Sequence, residues 1–425
     1  MPTRSLRIAW LGVGPSARES GGVPGVASDL LNGLASLGHR IDCFSPAPEH
    51  ALPERLAANE NLTFIWGTSG WRWDRWYSRT KIAAFGSGLL ARGLGSLRLR
   101  RVLARRHRQE PYDVIYQFSN IETLAVPAGV AREVPLVIHP ETHSAGELRF
   151  LISERRLSLR CQPVHTFVIA VTIMSLRALV QRVKIRQASL LVCISGVFRS
   201  HLVKDYGFPA EATVVIPNPV RLERFSPSDR EPGEPPIVLV LGRIAVRKGI
   251  EDVVAAAHML SERNLDVKLR IVGGPGLWSD YTKLLEDLPQ ESSEYAGRIP
   301  PSEIPEELER ADLLLQVSKY EPFALTVAEA LAAGVPVVAS SEVGAIEGVD
   351  SGVVIEVAPS DVEGIVAAIA SMLERVKANP SATRSLARAE AERLFAPEVV
   401  SRGISAALEQ LLATRSGAGK RHRAS

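Results

Sequence analysis

Short apolar runs alternate along the chain with longer segments whose apolar residues recur every three to four positions. The short runs are typical of buried strands, and the longer segments are typical of helices. The predicted strands lie at 6–11, 40–45, 62–66, 112–117, 135–138, 189–195, 237–241, 267–272, 295–299, 313–317 and 335–339, with an edge strand and turn at 213–220. Strands that alternate with helices in this way predict an α/β protein with parallel sheets.

The alternation is interrupted at 226–236, SPSDREPGEPP, which is rich in proline and charge and reads as a linker. We predict a doubly wound, Rossmann-like domain at 1–225 and a second one at 237–395. Their strand ends should face a central cleft, where ligands bind in such folds. A C-terminal helix at 396–414 could pack back on the first domain, and 415–425 is expected to be a disordered basic tail.

The segment Lys319–Ser340, KYEPFALTVAEALAAGVPVVAS, combines a loop, a helix and a strand. Pro322 fits a first helical turn, because the N–H that proline lacks has no partner there. The helix is predicted from Ala324 to Ala333, and Gly334 ends it.

The start of this helix is the strongest candidate site. The first N–H groups, at Phe323, Ala324 and Leu325, lack intrahelical acceptors and lie at the positive end of the helix dipole, which favours a phosphate. Glu321 precedes the helix and Glu329 lies two turns inside it. Phosphate flanked by two carboxylates suits a ligand with hydroxyls at both ends, such as a nucleotide sugar.

Two further turns carry groups suited to a diphosphate. Arg243 and Lys248 lie between glycines after the predicted strand at 237–241, where they could neutralise charge on a leaving diphosphate. Gly21 and Gly22 would let the backbone approach a ligand at the next helix.

Two histidines follow the strand at 135–138, in the sequence HPETH. Polar residues just beyond a parallel strand point to a site, so His139 and His143 are both candidates. The residues do not decide between them.

A second class of enzyme has to be weighed. Gly12-Val13-Gly14-Pro15-Ser16-Ala17 formally matches the dinucleotide-binding pattern, so an NAD-dependent oxidoreductase is an alternative. Pro15 inside the loop weakens the match. Asp42 also lies inside the second strand rather than at its tip.

Composition narrows the function classes. The chain of 425 residues is 46% hydrophobic and 23% charged, which is typical of a soluble globular protein. A net charge of only +3 argues against general nucleic-acid binding. The sequence contains no cluster of acidic residues of the kind that binds a metal ion. Three distant cysteines, with no signal peptide recognised, favour a reducing, cytoplasmic location.

Two segments suggest a surface partner. Tryptophans and arginines between 71 and 108 could rest on the anionic inner face of a membrane, or could bind nucleic acid in a non-catalytic protein. The apolar segment 162–176 is too short for a transmembrane helix, and a buried core helix is the expectation. With Arg155, Arg156 and Arg160 before it, it could also touch a bilayer.

Taken together, these residues resemble the GT-B-fold retaining glycosyltransferases of family 4. The resemblance covers nearly the whole chain and is strongest from about 190 to 375. It rests on five features of the sequence. They are the Glu-x7-Glu pair Glu321 and Glu329, the Gly-Arg…Lys-Gly turn at 242–249, the glycines at 21–22, and the stretches 216–218 and 272–276. Where the family usually has Asn-Gly-Val, this chain has Asn218-Pro219-Val220.

The resemblance implies transfer of a sugar from a nucleoside-diphosphate sugar to a glycan, lipid-linked or small-molecule acceptor. The anomeric configuration would be retained, and neither metal nor cofactor would be required. The implied roles are diphosphate binding by Arg243 and Lys248, sugar binding by Glu321, ribose binding by Glu329, and phosphate contact by Gly22. The amides of Phe323, Ala324 and Leu325 would contact phosphate or sugar, and His139 or His143 would lie near the donor sugar and acceptor.

Overall fold

The computed structural model describes residues 4–15, 22–68, 81–119, 126–276 and 280–422, and these form two α/β units. The first holds a seven-stranded parallel sheet in the order β3-β2-β1-β4-β5-β6-β7. Its strands are β1 (Arg7–Gly12), β2 (Arg40–Pro48), β3 (Leu62–Thr68), β4 (Val114–Phe118), β5 (Leu136–His139), β6 (Leu190–Cys193) and β7 (Thr213–Val215). Its helices are α1 (Val23–Ser36), α2 (Glu54–Ala57), α3 (Lys81–Gln109), α4 (Ala128–Glu133), α5 (Ser144–Ser153), α6 (Arg155–Cys161), α7 (Val164–Ile185) and α8 (Gly196–Tyr206).

The second unit holds a six-stranded parallel sheet in the order β10-β9-β8-β11-β12-β13. Its strands are β8 (Ile237–Leu241), β9 (Lys268–Val272), β10 (Ser293–Gly297), β11 (Leu313–Gln316), β12 (Val337–Ser340) and β13 (Val354–Val357). The remaining helices are α9 (Ile250–Glu262), α10 (Ile304–Arg310), α11 (Leu325–Ala332), α12 (Val362–Ala378), α13 (Pro380–Phe395) and α14 (Pro397–His422).

The central strands explain why the sequence shows unbroken apolar runs. In β4 and β11 every residue is buried, because helices cover both faces of each sheet. The strand order reverses between β1 and β4 and between β8 and β11. Such reversals open a crevice at the carboxyl ends of the strands, and loops that carry the candidate residues lie at these ends.

The C-terminal helix α14 returns to the first unit. Val400, Ile404 and Leu408 are buried in the same apolar cluster as Leu30 and Leu34 of α1. The helix continues to His422, through most of the segment expected to be a disordered tail. Residues 423–425, the end of that expected tail, lie outside the described residues.

Helix α7 differs from its prediction. It runs from Val164 to Ile185, longer than the predicted segment, and only 11% of its most apolar 18-residue window is buried. The expectation of a core helix is therefore wrong. The helix packs against α5 on one side, while its opposite side faces outward. Among the described residues, α7 alone is long and apolar enough to cross a membrane by length and composition.

The start of α11 also differs. The helix begins at Leu325, so Pro322 lies in the preceding loop rather than in a first helical turn. The backbone of Ala324 has φ 76° and ψ 83°, outside the helical region. The loop is instead fixed by its neighbour, since Ala345 N donates to the carbonyl oxygen of Phe323 at 2.8 Å.

Candidate active site

The loops after β8 and β11 bring three charged side chains together. Arg247 Nη1 lies 2.8 Å from Glu321 Oε2, and Lys248 Nζ contacts the same carboxylate oxygen. All three side chains are largely buried. The cluster joins the turn predicted to hold a diphosphate to the loop predicted to hold a sugar.

The backbone holds the two loops in register. Lys319 N donates to the carbonyl oxygen of Arg247 at 2.8 Å, and Arg247 Nη1 donates to the carbonyl oxygen of Tyr320 at 3.1 Å. Glu321 N donates to the carbonyl oxygen of Glu342 at 3.2 Å. Hydrogen bonds on both sides of Glu321 leave its carboxylate little freedom, so the site is preorganised before a ligand arrives.

One glycine allows the first loop to approach the second. Gly249 immediately precedes α9 with φ 66°, and a Cβ there would lie 2.2 Å from the carbonyl oxygen of Val317. A larger residue would therefore push the turn that carries Lys248 away from β11.

The Glu321 carboxylate is ionised because of its cations. Burial alone would raise its pKa, but Arg247 and Lys248, with a smaller contribution from Arg243, lower the pKa of Glu321 to about 2. Burial lowers the pKa of Lys248, and Glu321 opposes that shift. The exposed side chain of Arg243 lies at the beginning of the same turn.

Glu329 occupies a different environment at the junction of the two units. It lines a pocket together with Gly22 and Asp29 of the first unit and with Arg221 and Arg224 of the segment between them. Burial raises the pKa of Glu329 to about 7, and Arg224 opposes this only partly. Among the described residues, no cation lies within ion-pair distance of Glu329.

The amides at the start of α11 connect these two environments. Phe323 and Ala324 are buried, and the Phe323 ring packs edge-on against Phe395 with 5.7 Å between the ring centres. A non-glycine residue at positive φ, as at Ala324, costs about 1–3 kcal/mol and marks a backbone position held by its surroundings. The predicted amides of Phe323, Ala324 and Leu325 thus lie between Glu321 and Glu329.

His139 ends β5 inside a buried polar group. Its Nδ1 lies 2.6 Å from the Tyr116 hydroxyl, and its Nε2 lies 3.4 Å from Glu141 Oε1 without a hydrogen bond. Asn218 Nδ2 donates to the other oxygen of Glu141 at 2.7 Å. Burial lowers the pKa of His139 to about 3 and raises that of Glu141 to about 7, so this imidazole is neutral near pH 7.

His143 lies nearer to the charged cluster. Its Nδ1 is 2.6 Å from the hydroxyl of Tyr320, the residue before Glu321, and its Nε2 is 3.1 Å from Asp205 Oδ2. Burial lowers the pKa of His143 to about 4, although Asp205 opposes the shift. His143 thus bridges the two units next to the candidate sugar site, whereas His139 is enclosed within the first unit.

Sequence reasoning missed several residues of this region. Arg247, next to Lys248, was not identified as a site residue. Its position four residues after Arg243 could have indicated a second arginine on the same turn. No pattern in the sequence indicated a role for Glu347. Its carboxylate accepts hydrogen bonds from Gly196 N and Val197 N, both at 2.6 Å, across the junction between the units.

The alternative readings find less support. Asp42, the acid of β2, is paired with Arg7 at 3.1 Å and Arg106 at 3.0 Å, so it is not free to bind a ribose. Ser16 and Ala17 of the dinucleotide pattern lie outside the described residues, as do the tryptophans of 71–76. Among the described residues, no group of His, Cys, Asp and Glu side chains could hold a metal ion.

Family comparisons decide which protein class this geometry belongs to. The model of "Glycosyltransferase Family 4" matches residues 20–224, and that of "Glycosyl transferases group 1" matches residues 223–386. The two matches adjoin where the first sheet ends. The chain belongs to the GT-B glycosyltransferases of family 4.

Individual relatives agree with this family. Glycogen synthase from Mycobacterium tuberculosis is 31% identical over 216 residues, which are 49% of this chain and 50% of that protein. The chain thus spans about half the length of the curated relatives it matches.

Solved structures confirm the predicted GT-B fold. Sucrose-phosphate synthase from Thermosynechococcus elongatus superimposes with a TM-score of 0.67 and 21% identity, covering 96% of this chain and 100% of that one. HepE of Anabaena in complex with UDP-glucose gives a TM-score of 0.61 at 19% identity, covering 95% and 100%.

Proposed function

We propose that this glycosyltransferase moves a sugar from a nucleoside-diphosphate sugar to a hydroxyl of a glycan, lipid-linked or small-molecule acceptor, with retention of anomeric configuration. The observation that carries the proposal is the contact of Glu321 with Arg247 and Lys248 at the start of α11. Cations, helix amides and a carboxylate for sugar hydroxyls converge there.

The charges account for the chemistry. As the bond between the sugar C1 and the diphosphate oxygen breaks, negative charge grows on the diphosphate. Arg243, Arg247, Lys248 and the amides of α11 would stabilise that charge most strongly in the transition state. The new bond joins C1 to the acceptor oxygen, and the acceptor proton passes to the leaving phosphate on the same face. No covalent sugar–protein intermediate is required.

Glu321 has two roles in this scheme. Without donor it balances the charge of Arg247 and Lys248. With donor bound, the diphosphate would take over those cations, and the carboxylate would accept hydrogen bonds from sugar hydroxyls. Glu329, further along the helix, would accept a ribose hydroxyl, and Gly22 would contact phosphate from the first unit.

We propose a role for His143 rather than His139 in holding the sugar loop, because its Nδ1 contacts Tyr320 beside Glu321.

For location we propose the cytoplasm, since Cys43, Cys161 and Cys193 are all unpaired.

A thermal-shift panel tests donor binding. UDP, GDP, ADP, TDP and NAD(P) would be compared with the matching sugar conjugates, starting with UDP-glucose, the ligand of the Anabaena relative. A donor at about 100 times its dissociation constant adds about 2.7 kcal/mol to stability. Stabilisation by one nucleoside diphosphate, and more by one of its sugars, supports the proposal. Stabilisation by NAD(P) alone would contradict it.

Retention is tested separately by NMR of the product formed in the first turnovers. A retained anomeric configuration supports the same-face mechanism, and an inverted one would refute it without affecting the family assignment.

A further inference from the structure

Helix α7 exposes an apolar stripe that is interrupted near its middle by the exposed polar residues Thr172 and Ser175. Its members are spaced three, four or eight residues apart and therefore share one helix face. They are Val164, Val168, Leu176, Leu179 and Val183, each more than half exposed. From the first to the last, the stripe is about 28 Å long at 1.5 Å per residue. A monomeric soluble protein rarely leaves such a surface open without a partner.

The opposite side of α7 is tied to the protein. Ala170, Gln181 and Ile185 are buried there. Gln181 Oε1 accepts hydrogen bonds from Ser144 N at 2.9 Å and from the Tyr206 hydroxyl at 2.6 Å. These contacts oppose insertion of α7 across a bilayer, because they would have to break. They leave the apolar stripe free to lie on a surface.

The charged residues of the segment that carries the stripe have one sign. Residues 155–185 contain Arg155, Arg156, Arg160, Arg177, Arg182 and Lys184 but no aspartate or glutamate. Arg155, Arg156, Arg160 and Arg182 are exposed, and the exposed Leu159 lies among the first three. Exposed apolar side chains beside exposed arginines match the chemistry of an anionic lipid surface.

A second element adds to this side of the molecule. The connections β3–β4 and β5–β6 cross the sheet in the same direction, so right-handed crossovers place α3 and α7 on the same sheet face. Helix α3 exposes Leu94 and Leu97 in its apolar part. Its exposed arginines are Arg98, Arg101, Arg105 and Arg108.

We propose that the outward face of α6 and α7 docks on an anionic membrane, with α7 lying along the boundary between headgroups and acyl chains. The apolar stripe enters the boundary, and the flanking arginines contact lipid phosphates. The sequence had indicated that the segment 162–176, with Arg155, Arg156 and Arg160 before it, could touch a bilayer. The proposed surface is centred on this region, and α3 from the other segment, 71–108, lies on the same sheet face. The inference does not depend on the donor or on sugar transfer.

Docking would also orient the cleft. Helix α5 begins directly after His143, packs against both α7 and the turn at 246–248, and so links the docking face to the candidate site. A docked protein would hold this end of the cleft close to the lipid surface, where a lipid-linked acceptor could reach it.

Vesicle flotation of the full chain tests the proposal. Vesicles of phosphatidylcholine alone would be compared with vesicles containing added phosphatidylglycerol. Leu176→Glu combined with Leu179→Glu should weaken binding to anionic vesicles about tenfold or more, because two charges enter the apolar stripe. The control is Val399→Glu, an exposed apolar position on α14, which packs on the opposite side of the first unit. It should bind as the unmodified chain does.

A second variant separates the contribution of the arginine charges to vesicle binding from that of the apolar stripe. Arg155→Gln, Arg156→Gln and Arg160→Gln together should reduce binding to anionic vesicles and weaken its dependence on salt. These residues are exposed, so the thermal unfolding temperature should stay close to that of the unmodified chain.

Three results would overturn the proposal. They are no flotation of the unmodified chain with anionic vesicles, equal flotation of the Leu176→Glu/Leu179→Glu variant, and equal flotation with neutral and anionic vesicles. Light scattering after size exclusion, which measures the oligomeric state, can give a fourth result of this kind. A dimer that dissociates in the double variant, together with absent vesicle binding, would assign the stripe to a second copy of this chain.

Discussion

Glu321 and Glu329 lie at the two ends of one short segment, are equally buried at 8% exposure, and yet behave as opposites. The pKa of Glu321 is lowered to about 2 and that of Glu329 is raised to about 7. Burial acts on both in the same direction. The difference comes from Arg247 and Lys248, which lie beside Glu321 and have no counterpart at Glu329 among the described residues.

Under the proposed function, the two glutamates would serve two different parts of the donor. The Glu321 end is charged near neutral pH, and in the proposed donor complex Arg247 and Lys248 would exchange the Glu321 carboxylate for the diphosphate. The Glu329 end titrates near neutrality, so its capacity to accept a hydroxyl hydrogen bond depends on pH. A change at one end should therefore affect transfer, and a change at the other should affect pH dependence.

The largest effect is expected from Glu321→Gln. Transfer should fall about 10²- to 10³-fold, as when one charge-stabilising group is removed from an active site. Affinity for the free nucleoside diphosphate should fall much less, because Arg247 and Lys248 remain. Initial rates and calorimetric binding measure the two quantities.

The matched control for Glu321 is Glu307→Gln. Glu307 is a buried carboxylate bound by Arg270 at 2.7 and 2.9 Å, away from the cleft. The Glu307→Gln substitution should lower the free energy of unfolding and leave the transfer rate unchanged. Equal transfer rates in both variants would remove Glu321 from the site.

The next effect is the pH dependence of stability at Glu329. Its folded pKa of about 7 lies above the usual 4.5, so the folded state binds more protons between these values. Stability is therefore lost as pH rises through this window, by up to about 3 kcal/mol. Glu329→Gln should abolish that loss. Urea unfolding at pH 5 and pH 8 compares the variant with the unmodified chain, and parallel pH profiles would contradict the assignment.

Lys248→Gln should act more weakly than Glu321→Gln on transfer. Arg243 and Arg247 still face the diphosphate, so we expect an increase of about tenfold in the KM for donor, equivalent to about 1.4 kcal/mol. Removing one cation should also raise the pKa of Glu321. An unchanged KM would show that Lys248 serves only to balance Glu321.

The smallest effect is expected at the junction between the units. Tyr320→Phe removes the hydrogen bond to His143 and should cost about 1 kcal/mol of stability. Tyr281→Phe is the control, since Tyr281 is also buried and bonds to Ser158 across the units at 2.5 Å. Both should lose stability, and only Tyr320→Phe should also raise the KM for donor. A normal KM would make His143 purely structural.

Much of the fold could be read from local pattern. Apolar runs located the strands, because buried parallel strands need apolar residues on both faces. The helix predicted at Ala324–Ala333 is observed at Leu325–Ala332. Pro322 was misplaced because its preference for a first helical turn is local, whereas the loop is held by hydrogen bonds to 342–345. Helix α7 was misjudged because apolar composition alone does not show whether another element covers it.

By itself the sequence determined the two parallel α/β units and the charged residues that lie near α11. Those features depend on local periodicity and on residue types at short spacing. Only the tertiary structure decided that Arg247 joins Lys248 at Glu321, that His143 contacts Tyr320, and that α7 stays exposed. It also decided that Glu329 has no ion-pair partner within the part of the chain that the structure describes. Each of these depends on which distant loops meet, because ionisation and burial are set by neighbours in space rather than along the chain.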